Sequence, residues 1–183
     1  MRVTFSMLKG LEGIADKEGA IVGTVRWMLI DTEQRRAAAL ALRGRGISGE
    51  KWVDVADVKR VGRDVLFITS EQNIADKAPA GRDVRNLLGL PVTSLDGKRL
   101  GTLEDIVMDT KSWKIGSVVL SGGGEVDLGP EAVLGEDTVL LQKGAQDQVR
   151  MPRRGQSGRG LLDRVFGQEE NAGKAGAKKG KGG

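Results

Sequence analysis

Apolar residues along this chain come in short runs, each closed by glycine, aspartate or another turn-forming residue. Between residues 91 and 142 the runs cover 91–95, 100–108, 115–120, 125–128 and 138–142. Asp96-Gly97, Asp109-Thr110-Lys111, Ser121-Gly122-Gly123-Gly124 and Gly135-Glu136-Asp137 separate them. Short runs with this punctuation predict strands and hairpins. The longest wholly apolar stretch, residues 37–42, conflicts with the pattern, because Ala and Leu favour helix by propensity.

An internal repeat resolves the conflict. A shift of 78 positions over residues 19–42 pairs Gly19 with Gly97, Gly23-Thr24 with Gly101-Thr102, Asp31-Thr32 with Asp109-Thr110, and Leu42 with Leu120. Apolar positions fall on apolar positions between these identities. A second block, residues 54–68 shifted by 73, pairs Asp54, Gly62 and Asp64 with Asp127, Gly135 and Asp137. The change of offset places extra residues of the first copy in Arg43-Gly44-Arg45-Gly46-Ile47-Ser48-Gly49, which reads as a loop, where insertions are tolerated. Segments at equivalent positions of a duplicated domain share a conformation, so residues 37–42 are expected to follow the β-like 115–120. Several short antiparallel strands in a unit of about 60 residues are best satisfied by a small closed barrel, which leaves no open edge.

The second copy carries Leu87-Leu88-Gly89-Leu90-Pro91-Val92 and then Asp96-Gly97-Lys98-Arg99-Leu100-Gly101-Thr102-Leu103-Glu104-Asp105-Ile106-Val107-Met108-Asp109. This stretch resembles the opening of the PRC-barrel domain. The first copy, from Gly10-Leu11 through Gly19, Gly23-Thr24-Val25 and Asp31, resembles it too, with Trp27 where the pattern has its first Asp. The resemblance implies an all-β protein of two tandem small PRC-type β-barrels: residues 1–75, a linker at 76–85, and residues 86–143. It also implies a non-catalytic module that docks on a protein partner. Members include the cytoplasmic domain of the photosynthetic reaction centre H subunit and the C-terminal domain of a ribosome-maturation factor.

Composition narrows the chemistry further. The 183 residues contain no His and no Cys. That excludes an imidazole base, a Ser-His-Asp triad, a thiolate nucleophile, a disulfide, and any His- or Cys-ligated metal. No cofactor, metal site or catalytic residue is expected, and the chain reads as a non-enzyme. With no apolar run near the roughly 20 residues that span a bilayer and no secretory apolar segment, a cytoplasmic location is the expectation.

Charge separates the body from the end of the chain. Residues 1–143 carry 20 basic and 21 acidic side chains, whereas residues 144–183 carry nine basic and four acidic. The latter segment is also rich in glycine, so it is expected to be a disordered basic tail. Its candidate polyanion-binding residues are Arg150, Arg153, Arg154 and Arg159, then Lys174, Lys178, Lys179 and Lys181. Such clusters bind RNA or an anionic membrane surface without sequence readout, or serve only as a solvated tail. Between them, residues 161–166 place Leu161, Leu162, Val165 and Phe166 at the spacing of one helical face, suited to a partner groove or a membrane surface. RNA binding in ribosome assembly and peripheral membrane attachment are thus the alternatives to protein docking.

Within the body, Trp113 sits between Ser112 and Lys114 at a hairpin tip and is expected to be exposed as a docking anchor. Arg43, Arg45 and Lys51 mark a basic loop in the first copy. Glu104, Asp105 and Asp109 form a carboxylate group that suits a hard cation or acid-base chemistry. The bland alternative is an Asx-turn at Asp109.

Overall fold

The computed structural model describes residues 1–152 apart from 45, 47 and 48. The first copy contributes β1 (Arg2–Thr4), the one-turn helix α1 (Phe5–Leu8), β2 (Glu12–Ala15), β3 (Ala20–Asp31), β4 (Arg36–Arg43), β5 (Lys51–Asp54), β6 (Val58–Val61), β7 (Val65–Ile68) and β8 (Ile74–Ala75). The second contributes β9 (Arg82–Asp83), β10 (Pro91–Ser94), β11 (Arg99–Asp109), β12 (Ile115–Leu120), β13 (Glu125–Asp127), β14 (Val133–Leu134) and β15 (Val139–Leu141). The fold is all-β, and residues 37–42 form strand, as the repeat requires. The propensity of Ala and Leu yields because the segment is paired on both sides, by β3 and β5.

Both copies have one topology. The first sheet runs β6-β7-β2-β3-β4-β5-β8 and the second β14-β15-β10-β11-β12-β13, the same order under the repeat. Each contains one parallel pair, β2 with β7 and β10 with β15, among antiparallel neighbours. The hydrogen-bonded order is an open path in each case, so the copies are bent half-barrels and not the closed rings expected from the sequence. Alternation along the long strands sends Leu40, Leu42, Ile106 and Met108 into a shared apolar core.

The copies are not separated at the expected linker. Strand β1 leaves the first copy and pairs with β11, with Val3 opposite Met108 and Thr4 opposite Val107. Reciprocally, β9 pairs with β3, with Arg82 opposite Ile30 and Asp83 opposite Leu29. Since Ile30 and Leu29 are the counterparts of Met108 and Val107, the exchange is a two-fold relation within one chain. Its axis passes between the two hairpin tips. Arg36 and Lys114, which are counterparts, bridge there, while the Ala37 N–H donates to Trp113 O and the Ile115 N–H to Arg35 O, both at 2.8 Å. Arg35 and Trp113, also counterparts, are the two non-glycine residues with positive φ among those described, at 49° and 56°.

This pairing corrects three expectations. Arg82 and Asp83, assigned to the 76–85 linker, belong to the first sheet. The second copy extends past 143, through a 3-10 turn at Ala145–Gln148 and a bridge between Glu125 and Arg150. Trp113 is 3% exposed, because the tip that carries it packs onto the other copy instead of facing solvent.

Candidate functional site

Two of the three carboxylates singled out in the sequence, Asp105 and Asp109, tie the two copies together. Asp109 opens the β11–β12 turn, where it accepts the Lys111 and Ser112 N–H groups at 3.0 Å each and pairs with the Met1 amine at 3.1 Å. The Ser112 N–H, and then the Met1 ammonium, pull its carboxyl down to about 2. Asp105 lies on the outer face of β11, 7% exposed, and takes the Ser6 N–H of the exchanged helix on both oxygens at 3.3 Å. Glu104 immediately precedes Asp105 on the same strand and is exposed. No group of three or more carboxylates suited to a metal occurs among the described residues. For Asp105 and Asp109 the structural reading is the one their hydrogen bonds support.

Two of the basic candidates are also committed. Arg150 reaches Asp127 through both terminal nitrogens at 2.7 Å and Glu125 at 3.4 Å, which raises the basicity of the guanidinium and lowers the Asp127 carboxyl. It is therefore a strut of the second sheet and not part of a free basic run. Lys51 pairs with Asp76, at the end of β8. Arg43 is exposed at the end of β4, and Arg45 lies outside the described residues. So do Arg153, Arg154, Arg159, Lys174, Lys178, Lys179 and Lys181, together with Leu161, Leu162, Val165 and Phe166.

Two of the clefts open at the surface, one per copy, lie at equivalent places. The cleft of the first copy, about 550 Å³, is floored by Val22 and Ile74 and rimmed by Ile21, Glu12, Glu71 and Arg43. The cleft of the second, about 270 Å³, is floored by Leu100, Leu120 and Val149 and rimmed by Lys98, Arg99 and Gln146. Val22 corresponds to Leu100 and Ile21 to Arg99 under the 78-residue shift. A glycine makes the bend beside each: Gly23 at φ 133° and Gly101 at φ 138°. The strand–strand bridges Trp52–Ala75 and Glu125–Arg150 set a further offset of 75, which matches Ile74 to Val149 and Glu71 to Gln146.

Sequence reading missed both clefts. The segments that close them, β8 and residues 149–151, share no identities across the repeat, and only the bridge positions align them. Residues 81–148 match the PRC-barrel domain family. The matched span begins at the exchanged strand β9 and ends with the 3-10 turn that carries Gln146, so the PRC-barrel segment coincides with one structural copy including the part it lends to the other. No curated protein matches the chain. Among the described residues no helix is long and apolar enough to cross a membrane.

Proposed function

We propose that the chain is a non-catalytic adaptor in which a PRC-barrel copy and a second PRC-type copy, residues 1–75, pair as a built-in dimer and present their distal clefts to a protein partner. The observation that carries this reading is the commitment of the polar groups. Asp105, Asp109 and Arg150 are spent on turns, on the exchanged helix and on ion pairs within the fold. The two equivalent clefts are concave, apolar-floored and charge-rimmed, which suits binding. Capture from a cell extract with the full chain and with residues 1–151 tests it: a common partner set, retained by the shorter protein and displaced by substitutions in the clefts, is the expected result. Capture that needs residues 152–183 overturns it.

The uneven charge of the sequence favours one further reading, in which residues 144–183 hold RNA or an anionic membrane. Binding to single-stranded RNA would then fall with salt, with a log-log slope of about −0.7 for each phosphate neutralised. Loss of that binding in residues 1–151 is the result that separates it from docking through the clefts. Both readings place the chain in the cytoplasm.

A further inference from the structure

The exchange that joins the two copies is less complete at one end than at the other. Strand β1 runs through Arg2, which pairs with Asp109 of β11, and Met1 before it accepts the Thr110 N–H on its carbonyl oxygen at 2.8 Å. Strand β9 pairs over one residue fewer: Arg82 stands opposite Ile30, and Gly81, the counterpart of Arg2, is not paired with Asp31. Asp31, the last residue of β3, and Thr32 after it therefore lack the neighbour that Asp109 and Thr110 have. The Thr32 N–H donates to nothing among the described residues.

The side chains repeat the difference. In each turn Oδ1 of the aspartate holds the turn: Asp109 Oδ1 accepts the Lys111 and Ser112 N–H groups, and Asp31 Oδ1 accepts that of Gln34. Asp109 Oδ2 then takes the Met1 ammonium at 3.1 Å. Asp31 Oδ2 has no hydrogen bond or ion pair among the described residues, and Arg36, opposite it on β4, makes none with it.

This end of β3 opens on a third cleft, of about 880 Å³. Ile30, Ala38 and Leu134 give the cleft apolar surface, and Asp31, Glu33 and Glu136 give it three carboxylates. Its one cation, Arg82, donates to the carbonyl oxygens of Asn86, Gly135 and Glu136. Under the repeat, Glu33 and Glu136 stand where the second copy has Lys111 and Arg63. The charge around the turn is thus reversed in favour of a cation. A ligand that completes this end brings an ammonium for Asp31 Oδ2, a carbonyl oxygen for the Thr32 N–H and an apolar group for the floor.

The first residue of a polypeptide carries all three on one Cα, and Met1 uses all three at the opposite end of the exchange. A lysine side chain brings the ammonium without the adjoining carbonyl, and a residue inside a chain brings the carbonyl without the charge. We propose that Asp31, Thr32 and the cleft beside them capture the free N-terminus of a partner protein that begins with an apolar residue. Only that first residue is specified, and the chain beyond it leaves through the open side of the cleft. The proposal goes beyond the docking reading above and uses neither of the two equivalent clefts.

The test titrates the full chain with the peptide Met-Ala-Ala-amide, followed by amide chemical shifts at about pH 6.5, below the roughly 7.7 to 8.0 at which an α-amine loses its proton. Saturable shifts confined to residues around Ile30, Thr32 and Gly135 are expected. Acetylation of the peptide amine should weaken binding at least about tenfold, equivalent to about 1.4 kcal/mol. Acetyl-lysine amide, which offers only a side-chain ammonium, should bind more weakly than the free-amine peptide. D31N keeps a side-chain acceptor for the Gln34 N–H, so it should leave the melting temperature in place and lose the preference for the free amine. E33K, at an exposed position, gives the rim the charge of Lys111 and should weaken the free-amine peptide more than the acetylated one. Equal binding of free and acetylated peptide, equal binding of acetyl-lysine amide, shifts confined to another part of the chain, no saturation at millimolar peptide, or an unchanged preference in D31N or E33K overturns the proposal. A partner captured from extract by residues 1–151 without any peptide response would leave the adaptor reading standing and remove this one. A peptide response without capture through the clefts would do the reverse.

Discussion

The outer faces of the two sheets are built from equivalent positions and held by opposite chemistry. In the first copy, Leu29, Ala39, Ala41 and Trp52 form a small buried apolar cluster, with Trp27 packed against both it and the main core. The counterparts in the second copy are Asp105, Val107, Ser117, Val119 and Glu125. Each face is covered by what the other copy's exchanged segment brings. Over the polar face, Arg2 reaches Ser117 and Glu125, and the Ser6 N–H reaches Asp105. Over the apolar face, Gly81 replaces Arg2, and Arg85, the counterpart of Ser6, stacks on Trp27 at 4.3 Å while Lys9 lies over the same ring at 4.6 Å. The two-fold pairing fixes which positions meet, and leaves free whether they meet by burial, by stacking or by ion pair.

If that contrast is right, the largest effect belongs to the apolar face. Trp52, 9% exposed, is the bulk of its cluster, and Trp52→Ala should cost about 3 to 5 kcal/mol in chemical denaturation. Glu125→Ala at the equivalent place should cost no more than about 1 to 2 kcal/mol, since Glu125 serves hydrogen bonds and ion pairs at a partly exposed site. Equal losses would mean that the faces do not differ in kind.

The bend glycines sharpen the comparison at the next level. A Cβ on Gly23 would lie 2.8 Å from the carbonyl carbon and oxygen of Arg43, which are backbone, whereas on Gly101 it would lie 2.8 Å from the Ser121 hydroxyl, which can rotate away. Both sites have φ in the left-handed range, so both substitutions carry strain of about 1 to 3 kcal/mol. Gly23→Ala should fall at the upper end and Gly101→Ala at the lower, measured as the shift in denaturation midpoint.

Much of this architecture was legible in the sequence, and what was not has a physical reason. Gly23-Thr24 against Gly101-Thr102, and Asp31-Thr32 against Asp109-Thr110, mark bends and turns, where backbone geometry demands particular residues and so preserves a visible pattern. They were enough to place the strands along the chain and to override the helical propensity of residues 37–42. The exchanged strands, Arg2-Val3-Thr4 and Gly81-Arg82-Asp83, show no common residue, because a short paired strand is held through its backbone and tolerates varied side chains. Without that exchange Trp113 reads as an exposed tip. Its counterpart Arg35 gives no hint of burial either, since it uses its guanidinium to donate to Gly129 O at 2.6 Å. The unpaired end of β3 was invisible for a third reason: where a neighbouring strand stops is a property of packing and has no signature in a sequence.

A smaller effect at the second copy's turn aspartate depends on pH. Asp109 sits at about 2 in the folded protein, below the roughly 3.9 of an unfolded aspartate, so its contribution is complete above about pH 4 and is lost as pH falls through 2. Its counterpart Asp31 accepts the Gln34 N–H at 2.9 Å. The stability difference between wild type and Asp109→Asn should shrink between about pH 4 and pH 2. A difference that stays constant over that range would mean that the charge of Asp109 carries none of its contribution.

The smallest effect lies in the ion pairs themselves. Arg150 and its partners are largely exposed, with the Arg150 side chain at 52% and Asp127 at 61%, so Arg150→Gln should cost no more than about 1 kcal/mol. At about 1 M salt the screening length falls to roughly 3 Å, and most of that difference should vanish. Lys9→Met on the other copy removes a cation over Trp27 but keeps an apolar stem on the ring. Its cost of about 0.5 to 1 kcal/mol comes from ring contact as well as charge, and should outlast the added salt. If the two variants lose stability in parallel as salt is raised, the stacked cover of the first copy is an electrostatic strap like that of the second. The contrast between the faces would then reduce to the buried residues beneath.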